Sequence, residues 1–194
     1  MEEGNAFCIK TMERETNVKV ISNDDFLKIG ISTLCDKYKV TQRHRHISFI
    51  DVDSMSSFNE LRNVIMGLDE DSSIVGVLRN GVLSRQFHNV ASFHISMPLN
   101  NIASSINSAS KILFRRECWV SRLEDVMGLT HLSKKQLDVF NRIQKGADVY
   151  GIAKHLNMNV KTSYTHLRSL SESFNVRGIH ELYFLAQIIH ADSA

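Results

Sequence analysis

The sequence predicts a two-domain chain in which an α/β unit with a parallel sheet precedes an all-α unit of four helices. Three observations carry that reading. From Asn17 to Leu113, short apolar runs alternate with stripes of helical period, the order expected of β–α–β units. From Leu132 to Ile189, the apolar stripes have the helical period. Charge is also divided unevenly, with eight Lys and Arg against five Asp and Glu from Thr130 onward and fifteen against sixteen before it. A chain of 194 residues has room for two small cores.

Residues 1–16 are polar and without period. Val18, Val20 and Ile21 mark a strand over Asn17–Ile21, and Asp25–Leu34 follows as a helix with Phe26, Ile29 or Gly30, and Leu34 inward. Lys37–His46 is polar and basic. Its His44-Arg45-His46 has no further Cys, His or acid at ligand spacing and reads as loop. Ile47–Asp53 is dense in apolar residues, as a buried parallel strand should be. Ser57–Leu68 predicts a helix around Phe58, Leu61, Val64 and Ile65, then Ile74–Leu78 a second buried strand, Ser84–Asn89 a short helix and Ala91–Ser96 a last strand. After Pro98, Leu99–Leu113 carries Ile102, Ile106, Ala109 and Leu113 on one face. The charged segment 114–129 links this unit to the next.

In the second unit, Ser133-x-x-Gln136 has the form of a capping box, Leu137, Phe140 and Ile143 continue the helix, and Gly146 ends it. Asp148 caps a short helix with Val149, Ile152, Ala153 and Leu156 inward. Asn157-Met158-Asn159 is a tight polar turn, and Asn159 caps the next helix. Val160, Ser163, Leu167, Leu170 and Phe174 fall three and four apart, so a helix buries them and leaves Lys161, Tyr164, Thr165, Arg168 and Glu172 outside. Two short helices so closely joined are the arrangement of a helix-turn-helix. Ile179, Leu182, Leu185, Ala186 and Ile189 make the fourth stripe.

Residues from about 130 to 190 resemble the LuxR-type DNA-binding domain of the NarL/FixJ class of bacterial response regulators. The residues that carry the resemblance are Leu132-Ser133-x-x-Gln136, Gly146, Ile152-Ala153, Leu156, Lys161-Thr162-x-x-x-His166 and Phe174-x-Val176. Three positions depart from the pattern: Gln136 replaces the usual Glu, Ser163 a hydrophobic residue, and Ser173 a frequent phosphate-facing Lys. The resemblance implies that the helix after Asn159 enters the major groove of double-stranded DNA. Tyr164, Thr165 and Arg168 would face base edges, Lys161, Thr162 and His166 would hold phosphates, and the last helix would pair two such domains.

The first unit resembles, in layout, the receiver domain to which that helical domain is usually joined. Receivers hold Mg²⁺ with acidic residues after the first strand, carry a phosphoacceptor Asp after the third, Ser or Thr after the fourth, and Lys before a proline after the fifth. Asp51 matches the acceptor, with Asp53 as a rival register. Aligning Gly30 with the family's glycine puts Ser22-Asn23 at the acidic pair, with Asp24 and Asp25 as alternatives; Arg79 stands at the Ser/Thr position and Met97 at the Lys position before Pro98. The resemblance therefore implies a degenerate receiver-like domain over residues 17–113 that takes no phosphate, a linker over 114–129, and a helix-turn-helix domain over 130–190.

The cysteines, Cys8, Cys35 and Cys118, are odd in number and lack metal spacing, which points to a reducing, cytoplasmic setting. No apolar run is long enough for a membrane span, and Met1-Glu2-Glu3-Gly4 is acidic and unlike a signal. No Ser-His-Asp grouping, Gly-rich phosphate loop or Cys-His pair is present, so neither an enzyme, a cofactor nor a metal is expected. The expectation is a cytoplasmic, DNA-binding transcription regulator acting as a homodimer or as a heterodimer with another response regulator. The alternative is an accessory protein that pairs with a competent response regulator and adds little DNA contact itself.

Overall fold

The computed structural model describes residues 17–38, 46–111 and 116–193. The lead-in 1–16, the basic stretch 39–45 with His44 and Arg45, and the predicted helix end at Leu113 lie outside the described residues. Four parallel strands, β1 (Asn17–Ile21), β2 (His46–Asp51), β3 (Ser72–Leu78) and β4 (Ser92–His94), pair in sequential order. Helices α1 (Asp25–Lys37), α2 (Phe58–Met66) and α3 (Leu99–Lys111) alternate with them, and short 3-10 turns lie at Val52–Ser54 and Ser84–Phe87. Five more helices follow: α4 (Arg116–Gly128), α5 (Lys134–Gln144), α6 (Val149–His155), α7 (Val160–Ser173) and α8 (Ile179–Ser193).

Alternation along the strands divides the sheet's two faces. Ile47, Phe49, Val75, Val77 and Phe93 face α1 and α3, while Ile50, Ile74 and Leu78 face α2 and α4. The strands step in one direction while α1 and α2 lie on opposite faces, so their two crossovers cannot both have the usual right hand. The doubly wound strand order 2-1-3-4-5 accounts for this. Removing its outer strand and the next helix leaves 1-3-4-5, which reads as a sequential sheet. The strand ending at Asp51 is thus the second of the described strands, not the third.

Two expectations need correction. Phe26 is 89% and Ile29 65% exposed; α1 instead buries Ile31 and Cys35, flanked by Leu27 and Leu34. That stripe at spacings of four, three and one fits a helix better than the one predicted. Segment 114–129, expected as a charged linker, contains α4, which buries Trp119, Leu123 and Val126 in the core. Trp119 stacks on Phe87 with centroids 5.4 Å apart. Gly76 makes room for the indole, since a Cβ there would stand 2.7 Å from the Trp119 ring.

In the helical unit, local chemistry sets each boundary. The Ser133–Gln136 capping box forms in both directions. Asp148 and Asn159 cap α6 and α7 by accepting the amides of Gly151 and Thr162. Helices α5, α6 and α7 end alike, with Gly146, Asn157 and Asn175 at positive φ of 77, 48 and 49°. After each, the next amide reaches back five residues: Ala147 to Arg142, Met158 to Ala153, and Val176 to Ser171. These are Schellman closures, with Gly or Asn where a left-handed residue is needed.

The helical unit shares one apolar core with the outer face of the sheet. Leu185, in α8, is fully buried there, so a charge placed at this position would disrupt the core itself. The last turn of α8 also meets the start of α2. There the amides of Phe58 and Asn59 donate to Asp192 Oδ2 at 2.8 and 3.4 Å.

Candidate functional site

Two groups of side chains carry chemistry, one at the carboxyl edge of the sheet and one on α7. At the sheet edge, Asp51 is 2% exposed, and a carboxylate buried this far needs a cation or a proton. Arg79, just after β3, supplies the cation. Its Nη2 donates to Asp51 Oδ2 at 3.1 Å and to Asp24 Oδ2 at 2.8 Å, and Ser22 Oγ donates to the same Asp51 oxygen at 2.7 Å. The Arg79 guanidinium holds the Asp24 carboxyl below the usual carboxylate range, and chiefly Asp24 pushes Arg79 up in return.

This gathers residues that the alignment left scattered. Ser22, at the acidic-pair position, is a donor to Asp51, and Asp24 supplies the second carboxylate. Asp53 does something else: its carboxylate accepts the amides of Gly81 and Ser84 at 3.0 and 3.1 Å. A Cβ on Gly81 would fall 2.0 Å from Asp53 Oδ1, so glycine lets that backbone approach. Met97 is half-exposed ahead of Pro98 and has no charge to offer. Among the described residues, no group of three or more His, Cys, Asp or Glu could hold a metal ion. One signal for Arg79's role was present in the sequence: an acid ending a buried strand with an arginine just past the neighbouring one.

Helix α7 is built the other way. Ser163, Leu167 and Leu170 are buried, while Lys161, Tyr164, Thr165 and Arg168 are exposed and Thr162 and His166 half-buried. Thr162 hydrogen-bonds its own cap, Oγ1 to Asn159 Oδ1 at 2.9 Å. Arg168 Nε lies 3.2 Å from Glu172 Oε1, an exposed i,i+4 pair, and this contact leaves both terminal nitrogens of the guanidinium free of it. Beside them, Tyr164, Arg168, Val176, Arg177 and Ile179 line a shallow hollow against the start of α8.

Two departures from the family pattern meet. Gln136 Nε2 donates to Ser169 Oγ at 3.1 Å and to Ser173 Oγ at 3.4 Å while its Oε1 closes the capping box. Ser173 therefore points at α5. The contact between the two positions is a neutral amide–hydroxyl one.

The comparisons concern the fold. Three solved structures of the response regulator RcsB match nearly the whole chain. RcsB from Salmonella enterica serovar Typhimurium, bound to promoter rprA in the presence of phosphomimetic BeF3−, is 14% identical with a TM-score of 0.64, covering 90% of this chain and 99% of that one. Two RcsB dimers bound to two parallel DNAs match at 18% identity and TM-score 0.59, covering 88% and 96%. An RcsB–DNA complex matches at 16% and 0.55, also covering 88% and 96%. No protein-family model matches the chain, and no curated protein does. The fold is thus that of two-domain response regulators, a receiver-like parallel α/β domain followed by a helical helix-turn-helix domain. Among the described residues, no helix is long and apolar enough to cross a membrane.

Proposed function

We propose that this chain, sharing as it does the architecture of DNA-bound response regulators, is a cytoplasmic, LuxR-type DNA-binding transcription regulator whose receiver-like domain takes no phosphate. The observation that carries the proposal is α7. Its inner face is core, and its outer face presents Lys161, Tyr164, Thr165 and Arg168. Lys161, in the first turn beside the positive helix end, takes a phosphate together with Thr162 and His166. Tyr164, Thr165 and Arg168 read base edges in the major groove, with Arg168 forking onto guanine. The domains are taken as receiver-like over 17–113, connecting over 114–129 and DNA-binding over 130–190.

The reading of the receiver as degenerate is supported by the sheet edge. Asp51 is matched to the phosphoacceptor, and the cation bridging it to Asp24 is the guanidinium of Arg79, where a receiver would use Mg²⁺ between its carboxylates. A second chain, of this protein or of another response regulator, pairs through α8, which leaves Phe184 58% exposed. The whole chain should bind a randomised duplex pool and select a sequence from it. Lys161→Ala should weaken all sequences alike and lower the slope of log affinity against log salt by about one unit.

A specific observation favours the alternative of an accessory protein that leaves DNA contact to its partner. Ser173 is turned onto α5 and supplies no cation to the DNA face. Wild-type chain that selects no sequence alone, yet sharpens selection by a response regulator mixed with it, would establish that reading instead.

A further inference from the structure

The Ser84–Phe87 turn touches both ends of the molecule's chemistry. It is fixed at its start by the sheet edge. Asp53 accepts the Ser84 and Gly81 amides, and Ser84 Oγ accepts the Arg79 amide at 3.1 Å. At its centre the next two residues reach the helical unit. Arg85 Nη2 pairs with Glu181 Oε2 at 2.6 Å, and that same oxygen accepts the Arg177 amide at 2.6 Å. Gln86, 2% exposed, donates from Nε2 to the carbonyl of Phe174 at 2.7 Å, while its own carbonyl accepts Arg122 Nε at 2.7 Å. Phe174 is the C-cap of α7.

We propose that Arg85 and Gln86 are positioning residues for α7, through which the receiver-like domain sets the angle at which that helix is presented. The proposal rests on reading α7 as the DNA-reading helix. Leverage makes the contact matter. The 14 residues of α7 span about 21 Å, so a tilt of ~10° at the cap swings the first turn by ~3–4 Å. Recognition geometry tolerates about 0.5 Å and 10–20°. The contact adds little to stability, because Arg85 Nε and Nη1 are buried and find no partner. Its consequence is therefore orientation. The cap it grips is the Schellman closure of α7, with Asn175 donating to Glu172 and Val176 to Ser171.

The test uses the full chain with two readouts. Amide hydrogen exchange without DNA should rise about tenfold at Asn175 and Val176 in Gln86→Met and in Arg85→Ala, with Gly151 unchanged, and Arg85→Lys should restore it. Selection from a randomised duplex pool should give a blurred or weaker consensus for the first two variants and the wild-type consensus for Arg85→Lys. Unchanged exchange in both Gln86→Met and Arg85→Ala overturns the proposal. So does raised exchange with an intact consensus, which would make the contact structural only. If wild type selects no sequence, the DNA reading fails on its own, and the exchange data alone decide whether the turn holds α7.

Discussion

The charged residues around Asp51 and those along α7 are arranged on opposite plans. Around Asp51, an arginine, two aspartates and a serine answer one another through bonds of 2.7 to 3.1 Å, and the central carboxylate is almost out of solvent. Along α7 Lys161, Arg168 and Glu172 lie in water, and the ion pair on the outer face, Arg168 with Glu172, joins side chains 84 and 68% exposed. A set paired inwardly in this way has few donors left to offer a ligand, although Asp51 Oδ1 stays buried without a partner among the described residues. An open set contributes almost nothing to folding and keeps its donors for a partner.

The contrast can be broken most forcefully at Arg79. Arg79→Ala strands the Asp51 carboxylate in the core. The loss should fall near the lower end of the ~3–5 kcal/mol that breaking a buried ion pair costs, because a third of Arg79 is exposed and water can partly replace it. Urea denaturation measures it, and a change below ~1 kcal/mol would mean the set is not closed. On α7 the signs reverse. Arg168→Ala should shift stability by no more than ~0.5 kcal/mol. It should cost about 1 to 3 kcal/mol on the selected sequence and little on scrambled duplex.

A subtler difference is in pH dependence. Asp24 has its folded pKa held below its ordinary 3.8, chiefly by Arg79, so its contribution is complete above that value and fades as pH falls through the lower folded one. The midpoint of urea unfolding should drop on acidification, and Asp24→Asn should remove part of that drop. An Arg168→Ala chain should follow wild type. The smallest effect is expected from phosphoryl donors. With magnesium and acetyl phosphate the intact mass should stay unchanged, and a stable gain abolished by Asp51→Asn would show that Arg79 yields its place.

How legible these regions were in the sequence differs for a physical reason. The helical unit is held by local signals, and Ser133-x-x-Gln136, Asp148, Asn159 and Gly146 all act within a few residues of where they stand. Its boundaries and the inward stripe of α7 could therefore be read directly. The sheet edge is assembled by Ser22, Asp24, Asp51 and Arg79, residues 28 to 55 positions apart across its ion pairs and the serine bond. Only the fold brings them together, and alignment to a family template made Arg79 a missing hydroxyl when it is a cation supplied from within. Helix α4 was misjudged because its first turn is charged and its buried stripe, Trp119, Leu123 and Val126, is interleaved with Arg122, Glu124 and Asp125. One tryptophan opposite one glycine, Trp119 on Gly76, seats it against the sheet.

The cap on α2 has a kinetic consequence. Ser57 Oγ accepts the Glu60 amide at 3.0 Å, a bond available as soon as the turn forms, whereas the Phe58 amide waits for an aspartate 134 positions away in sequence. Helix α2 can nucleate by itself but is finished only when α8 arrives. Long-range closures of this kind raise contact order and slow folding, and they belong to the last events on the way to the native state. In the interval between the two caps, α2, with Phe58, Leu61 and Ile65, lacks the cover of α8. Exposed apolar surface of this kind invites misassembly, so α2 and the sheet are most vulnerable before α8 docks.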